Sequence, residues 1–400
     1  MIEFKKVPFF LPAKTEASND FATISLLKNK GGYCMENNKS SIMKGIDKIK
    51  LCNLQIEKID LAFLEKQKKA EVSYSENYNY MNKIKNGYKI VIKDNEVFSD
   101  LVILNNYPMG DKTVNCVKLT LCVKFIKENN IQPLTYTEYN TQIEKIIRYI
   151  EEKYKIRLIT QNMELDYLEL NMNMKLKHTY RDYARPIELI MSFIPLRQNK
   201  VMVSSKNNKP DDCNYSKSNN SIEHTFYLKK PPNQNTIDVD ILRYEIRFKT
   251  KKKIKYDFGT AKWNELNDTV LDEYLKKQTD GFIKKYNKWL EDSEKWVIDA
   301  IKKIKKEIPR GHMLQLITEI LDEELNNKKI IVLDKNQIYK AIDKTKDKNS
   351  TRMKKDINNH IRYKKTASKN LNDIFSNNSI AKAEEVIEFL NKLSQSSLTS

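Results

Sequence analysis

The segments "YLELNMN" (167–173), "SIEHTFYLKK" (221–230) and "ILRYEIRFK" (241–249) decide the fold. Each alternates apolar and polar residues, and a strand sends successive side chains to opposite faces. In the first, Leu168, Leu170 and Met172 oppose Tyr167, Glu169 and Asn171. In the second, Ile222, His224, Phe226 and Leu228 oppose Glu223, Thr225, Tyr227 and Lys229. In the third, Leu242, Tyr244, Ile246 and Phe248 oppose Arg243, Glu245, Arg247 and Lys249. If the apolar faces pack on helices, the opposite face of one sheet gathers carboxylates, an amide, a tyrosine and several cations.

Working outward, "YKIVIKD" (88–94), "VFSDLVIL" (97–104) and "TVNCVKLTLCVKF" (113–125) also read as strands. Ile143, Ile146, Ile147 and Ile150 make a stripe at helical spacing and predict a helix over 136–154, with Thr135 or Thr137 as N-cap. A second helix is predicted over 180–193, before Pro195, and the polar stretch 205–221 reads as an exposed loop. After Tyr256, apolar residues from Leu271, Tyr274 and Leu275 through Phe282, Tyr286, Trp289 and Leu290 recur every three or four positions. That is one long amphipathic helix, or two hinged near Gly281, ended by Pro309 and Gly311, with another helix over 312–326. The predicted architecture is α+β. An extension of uncertain order (1–44) precedes a domain with a mixed or antiparallel sheet and packing helices (45–255). An all-α domain of helix-turn-helix or winged-helix kind (256–400) follows.

Composition bounds the function. With 72 Lys+Arg against 53 Asp+Glu among 400 residues the net charge is +19, and 40% hydrophobic content is enough for a core. No apolar run reaches the roughly 18 residues of a membrane span, and Pro8 and Pro12 break the N-terminal apolar stretch; the expectation is a soluble, cytoplasmic chain without membrane partners. Five cysteines without a CxxC pair and four histidines, no two within five residues, argue against a disulfide frame or a zinc site. The glycines fit neither phosphate-cradling loop, GxxxxGK[ST] or GxGxxG. Part of the Lys excess is compatible with AT-biased codons. Yet residues 335–369 hold twelve Lys/Arg against three acids, a concentration suited to phosphate backbones.

The polar face of the three strands suits strand transfer at a DNA phosphodiester. A tyrosine hydroxyl, Tyr227, can attack phosphorus, and Glu169 and Glu245 can hold Mg or Mn, since oxygen ligands favour hard cations. Arg or Lys can balance the developing charge. The same residues also fit a solvated sheet face laced with cross-strand ion pairs.

These segments resemble the replication-initiation proteins of filamentous phages and small rolling-circle plasmids, the group that includes the phage gene II product and Gram-positive plasmid initiators. The likeness begins at "IDKIKL" (46–51), similar to the family's opening strand, and continues through "YKIRLITQNMELDYLELNMNMKL" (154–176) and the helix "TYRDYARPIELIMSFIP" (179–195). "TFYLKK" (225–230) resembles a segment with Tyr-x-Lys, and "ILRYEIRFKTK" (241–251) the closing strand; residues 46–255 are covered. The resemblance implies an initiator that recognises an origin, nicks one strand through a tyrosine and rejoins it. It puts the nucleophile at Tyr227, acidic positions at Glu169 and Glu245, and Lys229 and Arg243 near the phosphate. The expected partners are double-stranded and single-stranded origin DNA, a host helicase or polymerase, and a second copy of the chain. A non-catalytic origin-binding protein or transcriptional regulator is the alternative, and an RNA-binding or scaffold protein a third class.

The tail reads as two short helices, 335–345 and 350–363, with Ser350 or Thr351 capping the second. Met353, Ile357 and Ile361 are expected inward. Arg352, Lys354, Lys355, Asn358, Asn359 and Arg362 are the expected DNA contacts, because Arg reads guanine and Asn reads adenine in the major groove. Arg247 and Lys249 join them from the sheet.

Overall fold

The computed structural model describes residues 43–75, 87–109, 112–126, 133–196, 201–205, 213–229, 240–307, 335–363 and 379–395. In chain order these form β1 (Met43–Cys52), β2 (Gln55–Ile59), α1 (Leu61–Leu64), β3 (Ala70–Tyr74), β4 (Tyr88–Ile92), β5 (Asp100–Met109), β6 (Lys112–Cys122), α2 (Val123–Ile126), α3 (Tyr136–Tyr154), β7 (Ile156–Ile159) and β8 (Glu164–Lys175). A 3-10 turn (Tyr180–Tyr183) leads into α4 (Ala184–Ser192), then β9 (Met202–Ser205), β10 (Cys213–Ser218), β11 (Ile222–Lys229) and β12 (Ile241–Phe248). The helices α5 (Lys251–Phe258), α6 (Asp268–Glu307), α7 (Lys335–Lys344), α8 (Ser350–Tyr363) and α9 (Ser379–Gln395) follow.

Ten strands make one sheet in the order β3-β4-β5-β6-β1-β8-β12-β11-β10-β9, every neighbouring pair antiparallel, while β2 and β7 pair separately. Antiparallel pairing lets one face stay polar while the other is buried, and the alternation of the three deciding segments sets that division. Leu168, Leu170 and Met172 of β8, Tyr244, Ile246 and Phe248 of β12, and Ile222 and Phe226 of β11 are all buried. Helix α6 supplies part of the cover: Phe282 meets Tyr244 edge-on at 5.8 Å and Tyr274 meets Phe248 at 5.3 Å. The apolar core therefore continues past residue 255, through Leu271 and Leu275 to Val386 and Leu390 of α9. Lys44 of β1 pairs with Asp272 at 2.5 Å, tying α6 to the sheet.

The predicted helix over 136–154 is present with Thr135 as its cap. The Thr135 hydroxyl accepts from the Glu138 amide, and the Glu138 carboxylate accepts from the Thr135 amide. Asp268, at the start of α6, accepts from the Tyr136 amide at 2.6 Å and from the Thr137 hydroxyl at 2.9 Å. First-turn amides have no intrahelical partner, so a carboxylate placed there satisfies them and complements the helix dipole. The helix over 268–307 runs unbroken through Gly281, with no hinge there. The stretch 205–221 is not simply a loop: its second half forms β10, paired with β9 and β11. The predicted helix over 312–326 and the extension up to residue 42 lie outside the described residues. No helix among the described residues is long and apolar enough to cross a membrane.

Gly45 sits in β1 at φ +153°, and a Cβ there would lie 2.5 Å from the Leu134 carbonyl oxygen. That approach lets Leu134 exchange two backbone hydrogen bonds with Ile46, at 2.8 and 3.0 Å. Gly45→Ala is therefore expected to lower stability by about 1–3 kcal/mol, read as a fall in Tm against wild type. An unchanged Tm would mean that the strand relaxes away from Leu134.

Candidate active site

The polar faces of β1, β8, β12 and β11 lie side by side, and the register places their residues in rows. One row joins Tyr227, Arg243 and Asn173; the next joins Thr225, Glu245, Asn171 and Gly45; a third joins Glu223, Arg247 and Glu169. The expected residues Tyr227, Lys229, Arg243, Glu169 and Glu245 thus share one face. The centre of that face is not solvated. Arg243 is 0% exposed, Glu245 1% and Glu169 7%.

A third carboxylate, Asp47, completes the cluster. One ligand oxygen from each of Asp47, Glu169 and Glu245 lies within 4.8 Å of the other two. Asp47 follows Gly45 by two residues on this face, and the β1–β8 register shift between Ile46 and Lys48 leaves it as the extra residue opposite Glu169. Such a bulge inserts one residue and re-aims its side chain. The sequence carried a signal for it: in "IDKIKL" two successive polar residues, Asp47 and Lys48, interrupt the alternation between Ile46 and Ile49.

Hydrogen bonds fix the arrangement. The Tyr227 hydroxyl donates to Glu245 Oε2 at 2.7 Å. Arg243 Nε donates to Asn173 Oδ1 at 2.7 Å, and its guanidinium reaches Asp47 Oδ2 at 3.2 Å. Arg247 donates to Glu169 at 2.8 Å and to Glu245, and lies 3.6 Å from Glu223. Lys249 pairs with Glu223 at 2.8 Å. Arg247 and Lys249, expected as DNA contacts, are thus held by carboxylates of this face.

Burial pushes Glu169 well above the usual carboxylate range, reinforced by the hydrogen bond and the charge of Glu245. Burial acts on Glu245 in the same sense, but the hydrogen bond from Glu169, the Arg247 charge and the Tyr227 hydroxyl outweigh it and hold Glu245 low. Two carboxylates this close disfavour ionising together even with Arg247 beside both, and the proton of the pair is favoured on Glu169. Asp47 is raised by burial against the pull of Arg243, Lys229 is lowered by burial and by Arg243, and burial followed by the Glu245 charge raises Tyr227 well above its ordinary value.

A stability trend follows. The folded state keeps a proton on Glu169 that the unfolded chain releases near pH 4.3, so metal-free stability is expected to fall as pH rises from about 5 towards 9. Urea midpoints in EDTA at pH 5.5 and 8.5 check this: wild type declines, and Glu169→Gln removes most of the slope. An equal slope in both would assign the trend to another group.

The donor set fits a hard divalent cation. It offers three carboxylate oxygens with no sulfur or imidazole among them. Two buried polar side chains in the row through Glu245 lack a hydrogen-bond partner among the described residues: both carboxamide atoms of Asn171 and the hydroxyl of Thr225.

The tail helices α7 and α8 are present, and Arg352 and Lys355 are exposed on α8, with Asn358 half-buried and Met353 buried. Lys354 is engaged elsewhere: it pairs with Asp343 at 2.6 Å and lies over the Tyr339 ring at 5.5 Å. Ser350 is the first helical residue and its hydroxyl donates to the Asp347 carbonyl, so neither it nor Thr351 caps the helix. The side chains of Ile357, Asn359, Ile361 and Arg362 lie outside the described residues.

No family model matches the chain, and no curated protein matches it. Among solved structures, it is similar to a rolling circle replication initiator protein from Geobacillus stearothermophilus, at 12% identity and a TM-score of 0.26 over 52% of this chain and 75% of that one.

Proposed function

We propose that this chain is a plasmid-type replication initiator that nicks and rejoins one DNA strand through Tyr227 with a divalent metal. The observation that carries the reading is the Tyr227 hydroxyl, which donates at 2.7 Å to a carboxylate of a buried three-carboxylate cluster. Asp47, Glu169 and Glu245 are the residues to hold Mg or Mn, which when bound polarises the phosphoryl oxygens and favours the phenolate of the neighbouring tyrosine. Glu245 accepts the phenolic proton. The Tyr227 oxygen forms a bond to phosphorus while the bond from phosphorus to the leaving deoxyribose oxygen breaks, and that oxygen takes up the proton that Glu245 received. The number of phosphodiester bonds is unchanged, so the reverse reaction rejoins the strand. Arg243 is positioned beside the reacting oxygen, fixed by Asn173 and Asp47, and Lys229 lies two residues further along the same face. Origin DNA is the substrate in this reading, and a host helicase or polymerase would extend the opened strand.

The test is incubation with supercoiled plasmid carrying the chain's own flanking DNA, with Mg or Mn, read on denaturing gels. Nicked circles with covalently attached protein, absent for Tyr227→Phe, are expected. Arg352 and Lys355, exposed on α8, favour a second reading, a sequence-specific binding protein or regulator. Intact supercoils together with selective binding lost on Arg352→Ala would support that reading and sink the first.

A further inference from the structure

We infer that Asn171 is a fourth oxygen ligand of the divalent cation and not a structural residue of the sheet; the inference rests on the metal-dependent reading above. Asn171 lies in the middle of β8, 0% exposed, and neither its Oδ1 nor its Nδ2 has a partner among the described residues. A buried carboxamide left without hydrogen bonds destabilises the protein that carries it. The carboxamide needs something that the described protein groups do not supply.

Its surroundings say what that is. Glu169 precedes it by two positions on the same face, and Glu245 stands directly across from it on β12. At such a pairing the Cβ atoms are roughly 4.5–5.5 Å apart. On its other side the partner in register is Gly45, which has no side chain to fill the space, and Asp47 follows Gly45 by two residues. The unpartnered group is therefore surrounded by the three residues whose carboxylate oxygens converge. Mg, Mn and Ca all accept neutral amide oxygens beside carboxylates. A fourth ligand without charge adds an oxygen to the three that converge there.

Thr225, beyond Glu245 in the same row, also has a buried hydroxyl without a partner. It serves as an internal comparison, because its register neighbour is Glu245 alone among the three carboxylates.

The experiment measures Mn binding to the full chain by isothermal titration calorimetry at pH 7.5, and Tm in EDTA. Asn171→Leu removes an unpartnered polar group and is expected to raise the EDTA Tm by a few degrees, while weakening Mn binding at least tenfold. Thr225→Val is expected to raise the EDTA Tm as well but to keep Mn affinity within about twofold. Asn171→Asp, which retains an oxygen, is expected to bind Mn at least as tightly as wild type. Wild-type Mn affinity in Asn171→Leu overturns the inference. Should that variant not fold, the pair Asn171→Asp and Asn171→Ala decides: tenfold loss in alanine alone supports it, and wild-type affinity in alanine overturns it. If wild type binds no Mn and Glu245→Gln is indistinguishable from it, the metal-dependent reading itself falls and this inference with it. If Glu245→Gln abolishes binding while Asn171→Leu does not, only the role of Asn171 is refuted.

Discussion

Asp94→Ala is expected to destabilise the chain by about 3–5 kcal/mol, the scale of breaking a buried ionic network by removing one partner. Asp94 follows β4 and is 0% exposed, yet it gathers donors from two separate segments, Lys69 before β3 and the C-terminal end of α3. Its Oδ1 accepts from Lys69 at 2.6 Å, and its Oδ2 from Tyr149 and Tyr154, both at 2.7 Å, and from Lys153 at 2.8 Å. The carboxylate thereby fastens α3 to the β3–β4 end of the sheet. Alanine would remove the carboxylate that accepts from the buried Tyr149 and Tyr154 hydroxyls, while the two lysines still reach water. Tyr154→Phe, which removes one donor only, is expected to cost about 1 kcal/mol. Urea unfolding of the three proteins checks the order.

The same network predicts acid sensitivity. Burial alone would push Asp94 up, but the hydrogen bonds from Lys153, Lys69, Tyr154 and Tyr149 outweigh it and hold its carboxyl well below the usual range. A depressed carboxyl contributes stability above its unfolded pKa near 4 and loses it as pH falls further. The wild type is therefore expected to lose stability steeply below about pH 4, and Asp94→Ala to lose much less over the same interval. Parallel curves would show that other carboxylates govern acid unfolding.

If the proposed nicking mechanism holds, Tyr227→Phe is expected to abolish covalent attachment to DNA and to reduce nicking by at least about 10³-fold, because the substitution deletes the oxygen assigned as nucleophile. The cost to folding is expected to be small, about 1 kcal/mol, since Glu245 loses one of several donors. DNA affinity measured in EDTA should be unchanged. Glu245→Gln should show the same loss of nicking by another route, through the proton acceptor and the metal ligand together, and should also lose Mn binding. Nicking that survives Tyr227→Phe with the wild-type rate would exclude Tyr227 as nucleophile, and residual nicking without covalent attachment would point to water as the attacking group.

The division of the sheet into an apolar and a polar face was legible in three short segments. A period of two has only one way to place Leu168, Leu170 and Met172 together, and Glu169 and Asn171 on the other side. The helix over 136–154 was equally legible, since its stripe and its Thr135 cap are local features. The β10 strand was not. Its segment "CNYSKS" (213–218) has the composition of a turn, and it forms a strand because β11 and β9 offer it hydrogen-bond partners on both sides. Lys354 and Arg247 show the same limit among charges: their type suggested phosphate contacts, and only the fold shows the carboxylates that also engage them.

The sequence by itself determined which residues share a face, because side-chain alternation is a property of each strand alone. Only the tertiary structure decided which strands are neighbours and in what register, because cross-strand hydrogen bonds join residues as far apart as Asp47 and Arg243. That register brings Tyr227 to Glu245 and sets Asp47, at the bulge after Ile46, among the same carboxylates. Burial is likewise a collective property. It pushes the Glu169 carboxyl upward and leaves the Asn171 carboxamide without a partner among the described residues, and neither consequence is written in the residue type.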